Sequence, residues 1–257
     1  MGQITATFGK TVKEFIRQKT ILFWTIAWPV LWVLIGSFSF TGNAPSEAVS
    51  YIRGAIAISM SVFALMTAGM ANLPGNIAQD RERGLLSKLM SMPINPWRDF
   101  VGRILALLAF SSLAAISVTL VGFGCGARFS YSLTDLLQSI GFLLLISFAS
   151  AGIGMIVGTF IKHVHGAIMS GVGIAVVTAA LSGVMTPYSS LPWLLQQFAR
   201  VYPISSSSSS ITFLVVGADY AGYNPLSVTQ TTLTAVISLL LFVTGLVAYS
   251  RFCWRKE

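Results

Sequence analysis

Charge is the scarcest property of this sequence. Only 9% of its 257 residues are Asp, Glu, Lys or Arg, against about 25% in a soluble domain. The eight acidic residues are Glu14, Glu47, Asp80, Glu82, Asp99, Asp135, Asp219 and Glu257. None sits in the middle of a long apolar run, and no Lys or Arg does either. Ion-coupled carriers commonly relay protons through carboxylates or histidines inside the bilayer, and charged rings line many pores. The scarcity argues against both, while leaving sodium sites built from backbone carbonyls open. Histidines number two, His163 and His165. Without Cys or carboxylate partners nearby they give no metal centre. The two cysteines, Cys125 and Cys253, fall near opposite membrane faces and imply no disulfide framework. Gly9-Lys10-Thr11 imitates the end of a phosphate-binding loop, but that pattern needs glycine at position 4, which is Ile4, and a preceding strand. The chain therefore holds no nucleotide of its own, and no nucleophile, base and orienting group stand together as a catalytic set.

What the sequence has is apolar length. It is 54% hydrophobic, with a mean hydropathy of +0.77. Crossing roughly 30 Å of hydrocarbon takes about 20 residues of helix, and backbone groups there must be satisfied internally. The runs are continuous rather than alternating, which excludes a barrel. The reading is an all-α membrane protein of six spans, at about 20–40, 54–78, 104–125, 136–160, 166–186 and 227–250. Basic residues set the orientation. With both termini inside, the inner segments hold Lys10, Lys13, Arg17, Lys19, Arg81, Arg83, Lys88, Arg98, Arg103, Lys162, Arg251, Arg255 and Lys256. Only Arg53, Arg128 and Arg200 lie outside. That asymmetry supports cytoplasmic termini and explains the net charge of +8 without nucleic acid.

Two further segments stand out. Residues 3–19 place Ile4, Phe8, Val12, Phe15 and Ile16 on one face and charges on the other, the pattern of an amphipathic helix in the interface plane. Residues 187–226 contain Pro187, Pro192, Pro203, a run from Ser205 to Ser210, and apolar clusters too short to span. They read as a re-entrant helical hairpin, with serines capping helix ends and the break buried in protein or wet cavity. In the first span Phe23, Trp24, Trp28 and Trp32 supply aromatic surface. They serve a substrate path or packing against lipid and neighbours, a choice the sequence leaves open. Gly154 and Gly158 permit close helix approach, first of all within the chain.

The most informative stretch is 79–96, QDRERGLLSKLMSMPINP, between the second and third spans. Topology accounts for Arg81, Arg83 and Lys88. It does not account for Leu85, Leu86, Leu89 and Met90, which are unfavourable to leave exposed together. A helix over about 84–91 would turn leucines to one side, against lipid, the bundle or the groove of a partner.

The pattern DRERGLLSKLMSMPINPW resembles the first cytoplasmic loop of ABC-2 type transporter permeases. Glu82, Arg83, Gly84, Leu86, Leu89 and Pro93 carry the match, while Leu85 stands where many members have a small hydroxyl residue. The resemblance extends over the whole chain, 1–257, as a single transmembrane domain. LPWLLQQFARVYPISSSSSSI is similar to the family's proline-containing re-entrant segment. It implies a multi-pass subunit of the cytoplasmic membrane that pairs with a second permease chain, identical or not. It further implies cytoplasmic ATPase subunits that hold the ATP and magnesium, with the 79–96 loop as coupling helix. The implied activity is export of an amphipathic or apolar substrate such as a drug or lipid, along spans one, two and five. A non-transporting scaffold is the alternative, but it gives the apolar loop helix no task.

Overall fold

The computed structural model describes residues 2–39, 45–85, 88, 91 and 96–253. Leu86, Leu89 and Pro93 lie outside the described residues. Among those described, secondary structure is helical, and six helices are long and apolar enough to cross a membrane. We number the helices in chain order. Helix α1 is Gln3–Arg17. The six spans are α2 (Lys19–Ser39), α3 (Ala48–Glu82), α4 (Trp97–Gly124), α5 (Leu133–Phe160), α6 (Val164–Leu181) and α10 (Val228–Cys253). Between the last two lie α7 (Trp193–Val201), α8 (Pro203–Val215) and the single turn α9 (Ala218–Ala221).

Helix α3 is the most buried span. It packs on α2, α4, α5, α6 and α8, while α10 lies along α5. The main apolar core gathers Val62, Phe63 and Met66 of α3, Ile146 of α5, Ala175 of α6 and Ile211 of α8. A second cluster ties α1 into the bundle through Phe15, which meets Phe110 of α4 at 5.3 Å between ring centroids. Tyr249 near the end of α10 donates to Asp99 near the start of α4. Helix α1 packs on α4 as well, so both ends of the chain meet at one end of the bundle, called here the terminal end.

Proline shapes two spans. Pro29 and Pro74 lack the N–H that would close an i→i−4 bond, and their rings crowd that carbonyl. Just before each, the helix widens to π geometry, over Phe23–Ala27 in α2 and Ala68–Asn72 in α3. Trp28 N donates to Phe23 O, and Leu73 N to Ala68 O, one residue further back than in an α-helix. The two widened segments are joined across the bundle: Asn72 Nδ2 donates to Thr25 Oγ1 at 3.0 Å. In α3 the altered ladder leaves Gly69 O and Met70 O facing neighbours. A methyl group on Gly154 of α5 would lie 2.0 Å from Gly69 O, and one on Gly171 of α6 would lie 1.9 Å from Met70 O. Only glycine lets these backbones approach so closely. Gly158 packs on Pro74, so the Gly154–Gly158 pair is used inside the chain.

Three differences from the sequence reading have physical causes. Helix α3 continues to Glu82, and α4 begins at about residue 97 rather than 104, because Asp80, Asp99 and Arg103 are buried in ion pairs instead of solvated. Helix α6 stops at Leu181, where Gly183, with φ +84°, turns the chain. The serine run caps nothing. It forms the interior of α8, with Pro203 in the first turn. Two of its hydroxyls tie α8 to its surroundings, Ser205 donating to Ser182 O just past α6 and Ser206 pairing with Thr234 of α10 at 2.7 Å, while Ser210 bonds back to Ser206 O within α8.

Candidate coupling site

At the terminal end, α1 lies across the ends of α3 and α4 over a buried polar cluster. Asp80 of α3 and Arg103 of α4 are both almost fully enclosed. Asp80 accepts from Lys10 Nζ of α1 with one oxygen and from Arg103 Nη2 with the other. Arg103 Nε also donates to Asp99 Oδ2 at 2.8 Å, and its Nη1 donates to Asn76 Oδ1. Asp99 further accepts from Thr7 Oγ1 of α1 at 3.1 Å and from Tyr249 of α10 at 3.2 Å. Asn76 in turn donates to Glu14 of α1. One guanidinium thus sits between two carboxylates and an amide, with each of its three nitrogens donating to an acceptor, the kind of pairing a buried charge requires. Four helices, α1, α3, α4 and α10, meet in this cluster.

The amphipathic segment 3–19 is thereby held by more than its apolar face. Thr11 and Phe15 are buried, Gly102 of α4 sits against Thr7 and Ile4 O, and Gln18 bonds to Gln79 at 3.0 Å. Burial raises the affinity of the Glu14 carboxyl for its proton. Lys10 opposes that shift, nearby Asp80 reinforces it, and Arg103 and Arg83 oppose it.

The loop implicated by the sequence grows directly out of this cluster. Arg81 donates to Thr159 O of α5 at 2.9 Å and to Cys253 Sγ of α10 at 3.0 Å. Glu82 Oε1 accepts from Val164 N, the first N–H of α6, at 2.9 Å. A carboxylate there satisfies an orphan donor and complements the helix dipole. Arg83 is exposed and reaches Glu14 at 3.5 Å. Gly84 has φ +64°, a left-handed conformation that ends α3 with Gly84 N bonded to Arg81 O. Lys88 N donates to Gly84 O at 3.2 Å. Leu85 is helical and half-buried. Glu82, Arg83 and Gly84 thus stand at the turn that ends α3, rooted on α1, α5, α6 and α10.

A sequence profile described as ABC-2 type transporter matches residues 2–215. The chain belongs to the ABC-2 type transporter family. Among curated proteins, none matches. Membership makes the chain a multi-pass membrane permease that works with an ABC ATPase, rather than a catalyst itself.

In this ABC-2 permease the aromatics of the first span form a ladder. Ring centroids are 5.5 Å apart for Phe23 and Trp24, 5.6 Å for Trp24 and Trp28, and 6.1 Å for Trp28 and Trp32. Phe23 is exposed and the three tryptophans are half-buried, each against a different apolar cluster. The ladder is thus both packing and surface.

Sequence reasoning missed the cluster itself. It counted Lys10 and Arg103 among topological cations, and passed over Asp80, Asp99, Asn76 and Tyr249. One signal was present: Asp99 and Arg103 stand at i and i+4, a helical ion-pair spacing, and Asn76 and Asp80 share that spacing on the preceding span.

Proposed function

We propose that this chain is the permease subunit of an ATP-driven exporter in the cytoplasmic membrane, with both termini in the cytoplasm. It pairs with a second permease chain and with separate ATPase subunits, which hold ATP and magnesium. Residues 79–96 act as the coupling helix. Glu82, Arg83 and Gly84 fix its root, and Leu86, Leu89 and Pro93 present its apolar face and its end to the ATPase. Substrate is amphipathic or apolar and passes between the two permeases along α2, α3 and α6, with Phe23, Trp24, Trp28 and Trp32 on the path. Since α3 is enclosed by its own chain, the surface offered to substrate comes mainly from α2 and α6. The 187–226 region is the family's re-entrant segment on the outer side.

The observation that carries this reading is the anchoring of the loop. Its root is bonded to α5, α6 and α10 through Arg81 and Glu82, and to α1 and α4 through Asp80. A displacement applied to the loop has rigid, hydrogen-bonded routes to four spans besides its own. Electrostatic partners of this kind act as struts rather than as solvated surface.

The direct test is co-purification of the ATPase partner with wild type, Leu86→Asp and Glu82→Ala permeases. Leu86→Asp puts a charge in the proposed contact and should reduce recovered ATPase about tenfold or more, as loss of a buried apolar anchor does. Glu82→Ala should leave association closer to normal but weaken coupling of hydrolysis to transport. Full association and coupling in both variants would end the coupling-helix assignment. For orientation, a cysteine placed in the 41–50 loop should react with an impermeant reagent from outside. Reaction only from the cytoplasm would reverse the topology.

A further inference from the structure

A cavity of about 510 Å³ lies between α4 and α5, away from α2 and α6 and from the polar cluster. Its floor is α3 and α8, through Ile58, Val62 and Ile211. Its rim is apolar and exposed: Ile116 and Leu120 of α4 face Ile140 and Leu144 of α5 across the opening. These helices cross the membrane, so the opening gives on to hydrocarbon rather than water. An empty apolar slot of this size beside fluid lipid forgoes dispersion contacts along its whole lining, so the surrounding lipid fills it.

The lining is not uniformly apolar. Ser139 of α5 is buried, lines the cavity, and its Oγ has no hydrogen-bond partner in the protein. The other buried hydroxyls along the wall are already engaged: Ser61 bonds to Ala57 O and pairs with Thr119, and Ser147 bonds to Leu143 O. A buried hydroxyl left without a partner is unfavourable by roughly 1–3 kcal/mol. Among the buried hydroxyls on this wall, Ser139 therefore marks the point where an occupant with an acceptor is favoured over a plain hydrocarbon.

Depth says which acceptor. Helix α5 has 28 residues, or about 42 Å at 1.5 Å per residue, against roughly 30 Å of hydrocarbon. Sharing the overhang between its ends puts the far boundary about four residues inside Leu133. Ser139 then lies just within that boundary, at the level where a glycerolipid carries its ester carbonyls. Along α4 the lining runs from Phe123 inward to Leu108, about 22 Å. That is somewhat longer than one leaflet's hydrocarbon, about 15 Å as half the bilayer core.

We propose that this cleft holds one acyl chain of a diacyl glycerophospholipid from the leaflet at the far end of the bundle. The Ser139 hydroxyl donates to its ester carbonyl, and the chain lies between α4 and α5 towards Leu108. The site is separate from the proposed substrate path and does not depend on the transport reading. It makes a bound lipid part of the packing of α4 against α5.

The test uses the full chain in lipid nanodiscs containing a phosphatidylcholine with a diazirine on one acyl chain. After photolysis, labelled peptides are mapped and quantified. Labelling should concentrate on residues 108–123 and 136–147, well above that on the exposed face of α10. Ser139→Ala should lower it about fivefold, the effect of one net hydrogen bond, and Ser139→Thr should restore most of it. Leu143→Trp, which fills the cleft, should abolish it, while Leu240→Trp on the exposed face of α10 should not. A thermal unfolding curve on each variant shows that the fold is retained. Equal labelling of the cleft and of the α10 face would overturn the proposal. So would labelling unchanged in Ser139→Ala, which would leave an apolar groove with no lipid-specific site.

Discussion

At the scale of single residues, Arg103 and Asp80 dominate the account. Both are enclosed, and each satisfies the other together with Lys10, Asp99 and Asn76. Removing either of these two leaves the other buried without its main ionic partner, so Asp80→Ala or Arg103→Ala should destabilise the fold by about 3–5 kcal/mol. Reversible unfolding in mixed micelles would measure it. Replacing Arg103, Asp80 and Asp99 together by apolar residues of similar size should be less damaging than either truncation, because no uncompensated buried charge then remains among them. Glu14 behaves differently. Its carboxyl binds its proton more tightly when folded than its ordinary value of 4.5 allows, so the folded state holds the extra proton. Its contribution to stability is complete below that ordinary value and declines as pH rises through the raised one. The midpoint of thermal unfolding, measured as wild type minus Glu14→Gln, should therefore fall as pH is raised upward from about 4.5.

At the scale of helices, the spans owe their shape to proline and their spacing to glycine. The amphipathic pattern of residues 3–17 and the apolar runs were legible, because periodicity and length are properties of local sequence. The ends of α3 and α4 were not. A charge at a helix end reads as solvated unless its partner is known, and the partners of Asp80 stand 70 residues before it and 23 after it. The serine run shows the same limit: from sequence it looked like caps and a break, whereas tertiary bonds to Ser182 and Thr234 make it a helix interior. Glycine offers a clean contrast within one helix. Gly171→Ala would place a methyl group 1.9 Å from Met70 O, whereas nothing lies within 4 Å of such a group at Gly173. Overpacking at Gly171 should cost about 1–3 kcal/mol. Gly173→Ala should be neutral or stabilise by up to about 1 kcal/mol through helix propensity. Thermal unfolding of the two variants side by side checks the seam between α3 and α6.

At the scale of the whole molecule, the membrane class and the family were readable from the scarcity of charge, the apolar runs and the ERG-leucine stretch. What composition could not supply is how the loop is fastened. Glu82 was singled out as a contact for a partner, yet its carboxylate is also spent within the chain, on the first N–H of α6. Arg83 likewise leans on Glu14. The loop is thus joined by hydrogen bonds to the frame that it is proposed to move. Helix α1 shares that frame through Lys10, whose removal leaves Asp80 still paired with Arg103 and so should spare the fold. Hydrogen exchange on the complex of permease and ATPase in nanodiscs, with and without ATP, tests this most directly. In wild type, ATP should change backbone protection both at residues 79–85 and at the π segments 23–27 and 68–72. In Lys10→Gln the change should persist at 79–85 and shrink at 23–27, because the ion pair from Asp80 of α3 to α1 is lost, although the Asn76–Glu14 and Gln79–Gln18 bonds remain. An ATP response that is identical in the two proteins at every segment would contradict the claim that the buried cluster carries the motion.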